Sequence, residues 1–277
     1  MAAFLLGTVQ GLTEFLPVSS SGHLVLTRAA LPEAAVRTPG ALFGIVVHLA
    51  TLAAALIALR REVAAIVAAL LPGRPSGERQ AGRRVAVMLV VASFPAALAG
   101  FLLAEPIRGL FEAPQFASLG LVLTGCALLG CRGLLGSRRS SRGPLSGPAR
   151  YRDALLIGTA QAVAILPGVS RSGATILTAR ARGLAAGDAA RFSFLLSAPV
   201  IGGAVVFELA HAFGDPALAE LGVGTVALEL ALGFVAAFLA GTLALAWVFG
   251  WLAQRRFHQF GWYCLASGGV GIGLSGA

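Results

Sequence analysis

Charged residues are scarce in this chain of 277 residues, and lysine is missing altogether. Aspartate, glutamate and arginine together make up 12% of the chain, about half of the roughly 25% that is usual for charged residues in soluble domains. Hydrophobic residues make up 57%, and the mean hydropathy is +0.84. This composition excludes an ordinary soluble domain and indicates an integral membrane protein.

The chain also has few cysteines and no basic N-terminus. Cys126, Cys131 and Cys264 lie in or beside apolar stretches without metal-ligand spacing, so we interpret them as packing residues. Residues 1–16 lack the positive start of a secretory signal peptide, and Glu14 interrupts their apolar stretch. We therefore interpret this N-terminal stretch as part of the folded protein.

The basic residues are spread along the chain. All 21 are arginines, and with 12 acidic residues they give a net charge of +9. They stand between apolar runs and form no single patch, which argues against a nucleic-acid partner. We interpret them as topology signals and as contacts to the headgroups of membrane lipids.

Six apolar runs are long enough to span a membrane at about twenty residues each. Arginine-rich loops at 60–84 and 132–152 are predicted to be cytoplasmic, and the arginine-poor loops at 105–115 and 211–225 external. This alternation places the C-terminus outside. The six runs are 41–59, 85–104, 116–135, 188–210, 226–252 and 260–276.

The chain contains an internal repeat. The stretch GTVQGLTEFLPVSSSGHLVLT at residues 7–27 returns as GTAQAVAILPGVSRSGATILT at residues 158–178, with nine identical positions in twenty-one and no gap. Repetition at a fixed offset indicates duplicated structural units. Both copies place a glutamine on an apolar stretch, then a proline, then a Ser-x-Ser-Gly segment.

The repeated segments are too broken by Pro, Gly, Ser and charge to cross the membrane simply. Residues 1–31 and 152–184 are therefore predicted to be re-entrant helix hairpins. Three spans per half invert the second repeat relative to the first, so the two tips would meet near the midplane. We expect an all-α integral membrane protein with six transmembrane helices and two re-entrant hairpins: a first repeat at 1–135, a cytoplasmic linker at 136–151 and a second repeat at 152–277.

The first hairpin carries an acid, hydroxyls and an imidazole within a short stretch. Gln10 and Glu14 share one helix face, and Pro17 ends that helix. The next helix begins where consecutive backbone N–H groups can bind an anion. His23 is suited to proton transfer near neutral pH. The remaining candidates for substrate binding at this tip are Ser19, Ser20, Ser21 and Gly22.

The second hairpin supplies a fixed positive charge. Arg171 aligns with Ser20, cannot lose its proton and requires an anionic partner in a membrane. Its planar fork suits bidentate binding of phosphate. The other candidates for substrate binding at this tip are Ser170, Ser172, Gly173 and Thr175.

Together the two tips predict a phosphate site. Glu14 is the natural ligand for a hard divalent cation, Mg²⁺ or Ca²⁺, which binds through one or two carboxylates and the phosphates of its substrate. Ser20 either attacks phosphorus or only holds the phosphate, and His23 acts as a base, as a nucleophile or by activating water. Packing is the simpler interpretation of the small residues alone.

Two stretches carry a family resemblance. QGLTEFLPVSSSGH at 10–23 and PGVSRSGAT at 167–175 resemble the two signatures of the undecaprenyl-diphosphate phosphatase family linked to bacitracin resistance. The likeness continues at 43–52 and 190–199. Some members have glutamate where this chain has Gln10, and many have an acidic residue at the position of Gly44.

The resemblance implies hydrolysis of a C55 isoprenoid diphosphate to its monophosphate and inorganic phosphate. It further implies a divalent metal, the bacterial inner membrane and a site that opens outward. The family's functional residues fall on Glu14, Ser20, His23 and Arg171. A transporter that flips polyprenyl phosphate is the alternative that inverted repeats and broken helices suggest by themselves, although a carrier has little use for the acid and base. The sequence leaves open whether the protein forms a homodimer.

Overall fold

The fold is helical throughout the part of the chain that the structure describes. This computed structural model describes residues 1–32, 35, 40–72, 76–133, 151–212, 223–254 and 256–275, and these contain no β-strand. The predicted linker at 136–151 lies outside them, apart from Tyr151. The helices are α1 Ala2–Phe15, α2 Ser20–Ala29, α3 Gly40–Ala58, α4 Arg60–Leu70, α5 Ser76–Glu112, α6 Pro114–Gly130, α7 Tyr151–Val163, α8 Arg171–Ala181, α9 Ala186–Ala212, α10 Val223–Ala253 and α11 Phe260–Ser275, with a 3₁₀ turn at Phe257–Gln259 before α11.

The two repeated segments form helix–turn–helix units, as the sequence predicts. Helices α1 and α2 make the first, and α7 and α8 make the second. Helix α1 ends at Phe15, and Leu16 is extended, because a residue before proline is disfavoured in the α-helical conformation. In each unit the break precedes the Ser-x-Ser-Gly segment, and the second helix begins within that segment, at Ser20 or Arg171.

Two regions that the sequence suggested as loops are helical. Residues 60–70 form α4, whose Ala69 packs against Gly82 of α5. Helix α5 also continues through most of the predicted loop at 105–115, despite Pro95 and Pro106 within it. Charge pattern identified these regions as polar connections, but local helix propensity and packing on neighbouring helices decided their conformation.

Among the described residues, four helices are long and apolar enough to cross a membrane: Gly40–Ala58, Gly77–Leu103, Ala186–Phe207 and Val226–Leu252. The number is five if Glu105–Phe111 and Pro114–Gly130 count as one bent segment. The protein is therefore a multi-pass helical membrane protein with four or five candidate spans in its described part. The sixth predicted run corresponds to α11, which has 16 residues.

The two repeats make equivalent helix contacts. Helix α1 packs along α10, and its repeat partner α7 packs along α5. Gly7 lies against Gly233, and Gly158, in the matching position of the second repeat, lies against Ala92. A methyl group at either glycine would collide with the facing backbone carbonyl, so these small residues allow the close helix contacts that are common in membranes.

Helices α6 and α11 lie antiparallel beside the two hairpins. Gly125 is next to Gly261, and Ser118 is next to Gly271. The thiol of Cys264 on α11 donates to the carbonyl of Pro17 at 3.6 Å. Helix α11 thus supports the break in the first hairpin, and α6, as described below, supports the break in the second.

Candidate phosphate site

The first tip (residues 17–23) has a strained backbone. Ser19 has φ of 65°, the only positive value at a non-glycine residue in the described ranges. Its Oγ caps α2 by accepting from the Gly22 N–H at 3.3 Å and lies 3.2 Å from the Ser21 Oγ. Strain of about 1–3 kcal/mol per such residue concentrates at functional sites. The strained Ser19 therefore sets where α2 begins.

The second tip (residues 167–175) repeats the cap with different support. The Ser170 Oγ accepts from the Gly173 N–H at 3.1 Å and lies 3.2 Å from the Ser172 Oγ. The Thr124 hydroxyl of α6 donates to the Gly168 carbonyl at 3.1 Å and accepts from the Ser170 N–H at 3.0 Å. One buried hydroxyl thus fixes both ends of the turn that precedes Arg171.

The two tips lie against one another, as the sequence predicts. A Cβ on Gly22 would come within 2.9 Å of the Gly168 Cα. The Ser172 hydroxyl donates to the Leu16 carbonyl at 3.0 Å. Since these segments are about 150 residues apart in sequence, this contact turns two short motifs into one candidate site.

Glu14 and Arg171 join the tips by an ion pair. Glu14 Oε1 accepts from Arg171 Nη2 at 2.7 Å, and the two side chains are 5% and 15% exposed. Glu14 Oε2 accepts from the Ser20 hydroxyl at 2.6 Å and from Gln10 Nε2 at 2.9 Å. Four of the predicted site residues therefore form one network around a single buried carboxylate.

His48 also faces this network, although the sequence did not select it as a site residue. Its Nε2 lies 3.9 Å from Glu14 Oε2, and its Nδ1 donates to the Gly44 carbonyl at 2.8 Å. A Cβ on Gly44 would meet no atom within 4 Å. The signal available in the sequence was the position of His48 in the stretch 43–52, which carries the family resemblance.

His23 makes its hydrogen bonds elsewhere. Its Nδ1 lies 2.8 Å from the Ser19 carbonyl, and its Nε2 lies 2.9 Å from the Tyr263 hydroxyl of α11. The Ser20 hydroxyl is directed to Glu14 instead. Sequence reasoning missed Tyr263 because no motif surrounds it and its partner is 240 residues away.

The remaining predicted residues of the second tip are bound to the protein itself. Ser170, Ser172 and Thr175 are each at most 2% exposed. The Thr175 hydroxyl donates to the Arg171 carbonyl at 2.8 Å and lies 2.6 Å from the Ser193 Oγ. The side chains hold α8 in place, and their direct contact with substrate stays a prediction.

Two buried polar atoms at the centre of the site have no hydrogen-bond partner among the described residues. They are Arg171 Nη1 and Gln10 Oε1. Buried polar groups are nearly always satisfied, so each such atom requires an explanation. A guanidinium N–H suits a phosphate oxygen, and an amide oxygen suits a hard cation.

A cation would need further ligands from its substrate. In the described part of the chain no three His, Cys, Asp or Glu residues are grouped so that they could hold a metal ion. The protein atoms that fit a hard cation are the Glu14 carboxylate and Gln10 Oε1, an all-oxygen set. Phosphate oxygens of a bound substrate would complete it, as is usual for Mg²⁺.

Comparison with known proteins gives one consistent result. The family model of bacitracin resistance protein BacA matches residues 3–270. Proteins named undecaprenyl-diphosphatase are similar over nearly the whole chain. One from Syntrophotalea carbinolica is 38% identical over 99% of this chain and 98% of its own, and one from Salinibacter ruber is 39% identical over 98% of both. Another from Korarchaeum cryptofilum is 34% identical over 96% of this chain and 95% of its own. The chain belongs to the BacA bacitracin resistance family.

Proposed function

We propose that this protein hydrolyses undecaprenyl diphosphate to undecaprenyl phosphate and inorganic phosphate. The observation that carries the proposal is the ion pair of Glu14 and Arg171, which joins the two tips and leaves Arg171 Nη1 without a partner among the described residues. Relatives over nearly the full length are named undecaprenyl-diphosphatase. The function recycles the lipid carrier for cell-wall synthesis.

The substrate's diphosphate would bind between the tips. Arg171 would offer its free Nη1 to a phosphate oxygen while Nη2 keeps its bond to Glu14. The starts of α2 and α8 come from the two tips that lie against one another, and helix N-termini would favour negative charge there. These groups hold the phosphorus in place and stabilise the charge that develops as the bond to the leaving phosphate breaks.

The residues of the site suggest three routes for the attack. In the first, the Ser20 hydroxyl attacks phosphorus, and its 2.6 Å hydrogen bond makes Glu14 the acceptor of its proton. In the second, His23 accepts a proton from water while Ser20 binds the phosphate. In the third, His23 attacks phosphorus itself. We favour the routes in which His23 is indispensable, as the proton acceptor or as the nucleophile.

A divalent cation, Mg²⁺ or Ca²⁺, is part of the proposal. Glu14 and Gln10 would hold it together with the phosphates of the substrate, and its charge would neutralise the diphosphate. Gln10 stands where some relatives carry glutamate, so this chain offers one carboxylate to the cation. The unpartnered Gln10 Oε1 supports this assignment.

We further propose six spans and two re-entrant hairpins in an inverted repeat. The matched pairs of helices, α1 with α10 and α7 with α5, support this arrangement, since an internal two-fold axis requires such pairs. The arginine-rich loops would face the cytoplasm. The site would then open to the outer face of the bacterial inner membrane. A homodimer stays a prediction, which light scattering of the solubilised protein would check.

The decisive test is phosphate release by the purified protein from undecaprenyl diphosphate, with and without a chelator. Arg171→Ala serves as the control for contaminating phosphatases. Release above this control that falls on chelation supports the proposal. Release equal to the control would refute hydrolysis and leave lipid flipping, the alternative, to be measured in vesicles.

A further inference from the structure

Tyr263 of α11 contacts the imidazole of His23 through a hydrogen bond and through its ring. The hydroxyl lies 2.9 Å from His23 Nε2. The two rings are nearly parallel, with an interplanar angle of 7° and centroids 5.5 Å apart. Tyr263 is 49% exposed, and a tyrosine hydroxyl that donates its hydrogen keeps lone pairs that can accept a second hydrogen bond. Helix α11 thus adds Tyr263 to the side chains that the two hairpins and α3 bring to the site.

The hydrogen bonds of His23 define its tautomer. Nδ1 lies 2.8 Å from the Ser19 carbonyl, and a carbonyl oxygen can only accept, so the proton is on Nδ1. In the neutral ring Nε2 then carries the lone pair, and the Tyr263 hydroxyl donates to it. Both ring nitrogens are therefore occupied, and Nε2 is the basic atom.

We propose that Tyr263 is the residue through which His23 receives its catalytic proton. The proposal rests on the proposed hydrolysis and on His23 as its base. The attacking water gives a proton to the Tyr263 oxygen as the Tyr263 hydroxyl proton passes to Nε2. The water oxygen bonds to the terminal phosphorus while the bond from that phosphorus to the bridging oxygen breaks, so undecaprenyl phosphate leaves and inorganic phosphate forms. Tyr263 ends neutral, and His23 ends as an imidazolium whose Nε2–H bonds to the Tyr263 oxygen.

This role differs from nucleophilic catalysis by His23. An imidazole can attack phosphorus only through a free lone pair, and here the Nδ1 position is protonated and the Nε2 position is covered. A relay keeps the ring in place and moves two protons, one from water to the Tyr263 oxygen and one from the Tyr263 hydroxyl to Nε2. Removal of that hydroxyl should slow the chemical step and leave the binding of substrate unchanged.

The test compares Tyr263→Phe with Tyr151→Phe. Tyr151 is the other of the two tyrosines, is also 49% exposed and lies at the start of α7. We expect Tyr263→Phe to lower kcat about 10²-fold or more with KM within about twofold of wild type, because proton transfer by a positioned group contributes about 10²–10⁴-fold. Tyr151→Phe should leave both values unchanged.

A second measurement reports the contact without turnover. The side-chain ¹⁵N resonances of histidine-labelled protein, assigned with His23→Ala, should change for His23 Nε2 in Tyr263→Phe and stay constant for His48. Unchanged His23 resonances, an unchanged kcat or a phosphorylated His23 in trapped enzyme would each overturn the relay. If no variant hydrolyses the lipid, the proposed function fails while the resonances still show whether the contact exists.

Discussion

Substitutions of Arg171 can distinguish its proposed bond to the substrate phosphate from its ion pair with Glu14. The guanidinium uses Nη2 for Glu14 at 2.7 Å and has Nη1 without a partner in the described part of the protein. Lysine has one nitrogen and lacks the planar fork, so it cannot reproduce both contacts in this geometry. We therefore expect Arg171→Lys to keep the positive charge near Glu14 and to lose the bond to phosphate.

The expected size follows from the lost contact. A hydrogen bond to a charged group contributes about 1.5–3 kcal/mol. At about 1.4 kcal/mol per tenfold, Arg171→Lys should lower kcat/KM by roughly 10-fold to 150-fold. Arg171→Ala also leaves the Glu14 carboxylate, 5% exposed, without its cation. Loss of one partner of a buried pair costs about 3–5 kcal/mol, so this variant should be nearly inactive and less stable.

Arg182→Lys is the matched control. Arg182 Nε donates to Asp153 at 2.7 Å, an ion pair of the same length at the other end of α8. Phosphate release and thermal unfolding should be measured for all variants. Activity of Arg171→Lys equal to wild type, or a loss no larger than that of Arg182→Lys, would show that Arg171 is only structural and would refute the reasoning.

Three further changes test the rest of the site. Glu14→Gln should lower turnover by orders of magnitude, because an amide is a weak ligand for a hard cation; wild-type phosphate release or insensitivity to chelator would argue against a metal. Gly168→Ala should destabilise the protein in thermal unfolding, because φ is +82° and a Cβ would collide with the Ala117 carbonyl, whereas Gly44→Ala meets open space and should be tolerated; equal stability would contradict the tip geometry. Cysteines at Ser21 and Ser172, in a background without the native cysteines, should cross-link with a short bifunctional reagent. Absence of the cross-link would contradict the contact between the two tips.

Several features of this protein could be predicted from the sequence because they depend on local pattern. Hydropathy over stretches of about twenty residues identified the membrane class and four of the spans. The repeat placed a helix break at Pro17 and its counterpart at the second tip, since proline and Ser-x-Ser-Gly segments impose their conformation locally. The same motifs gave Glu14, Ser20 and Arg171, which the structure brings together.

Other features depend on which surfaces meet. The charge pattern at 60–70 could not distinguish a loop from α4, because amphipathic helices and polar loops share arginine-rich composition. The family resemblance grouped His23 with Ser20 and Glu14, whereas the structure directs Ser20 to Glu14 and His23 to Tyr263.

The sequence by itself determined that this protein lies in a membrane, that it contains an internal repeat and which chemical groups its two tips carry. Composition, periodicity and short motifs are local properties of the chain. Only the tertiary structure decided the partners of each functional group. Arg171 is 157 residues from Glu14, and Tyr263 is 240 residues from His23. The packing of α6 and α11 against the hairpins sets those distances, and hydrogen bonds need donor and acceptor within about 3 Å. No local pattern carries that information.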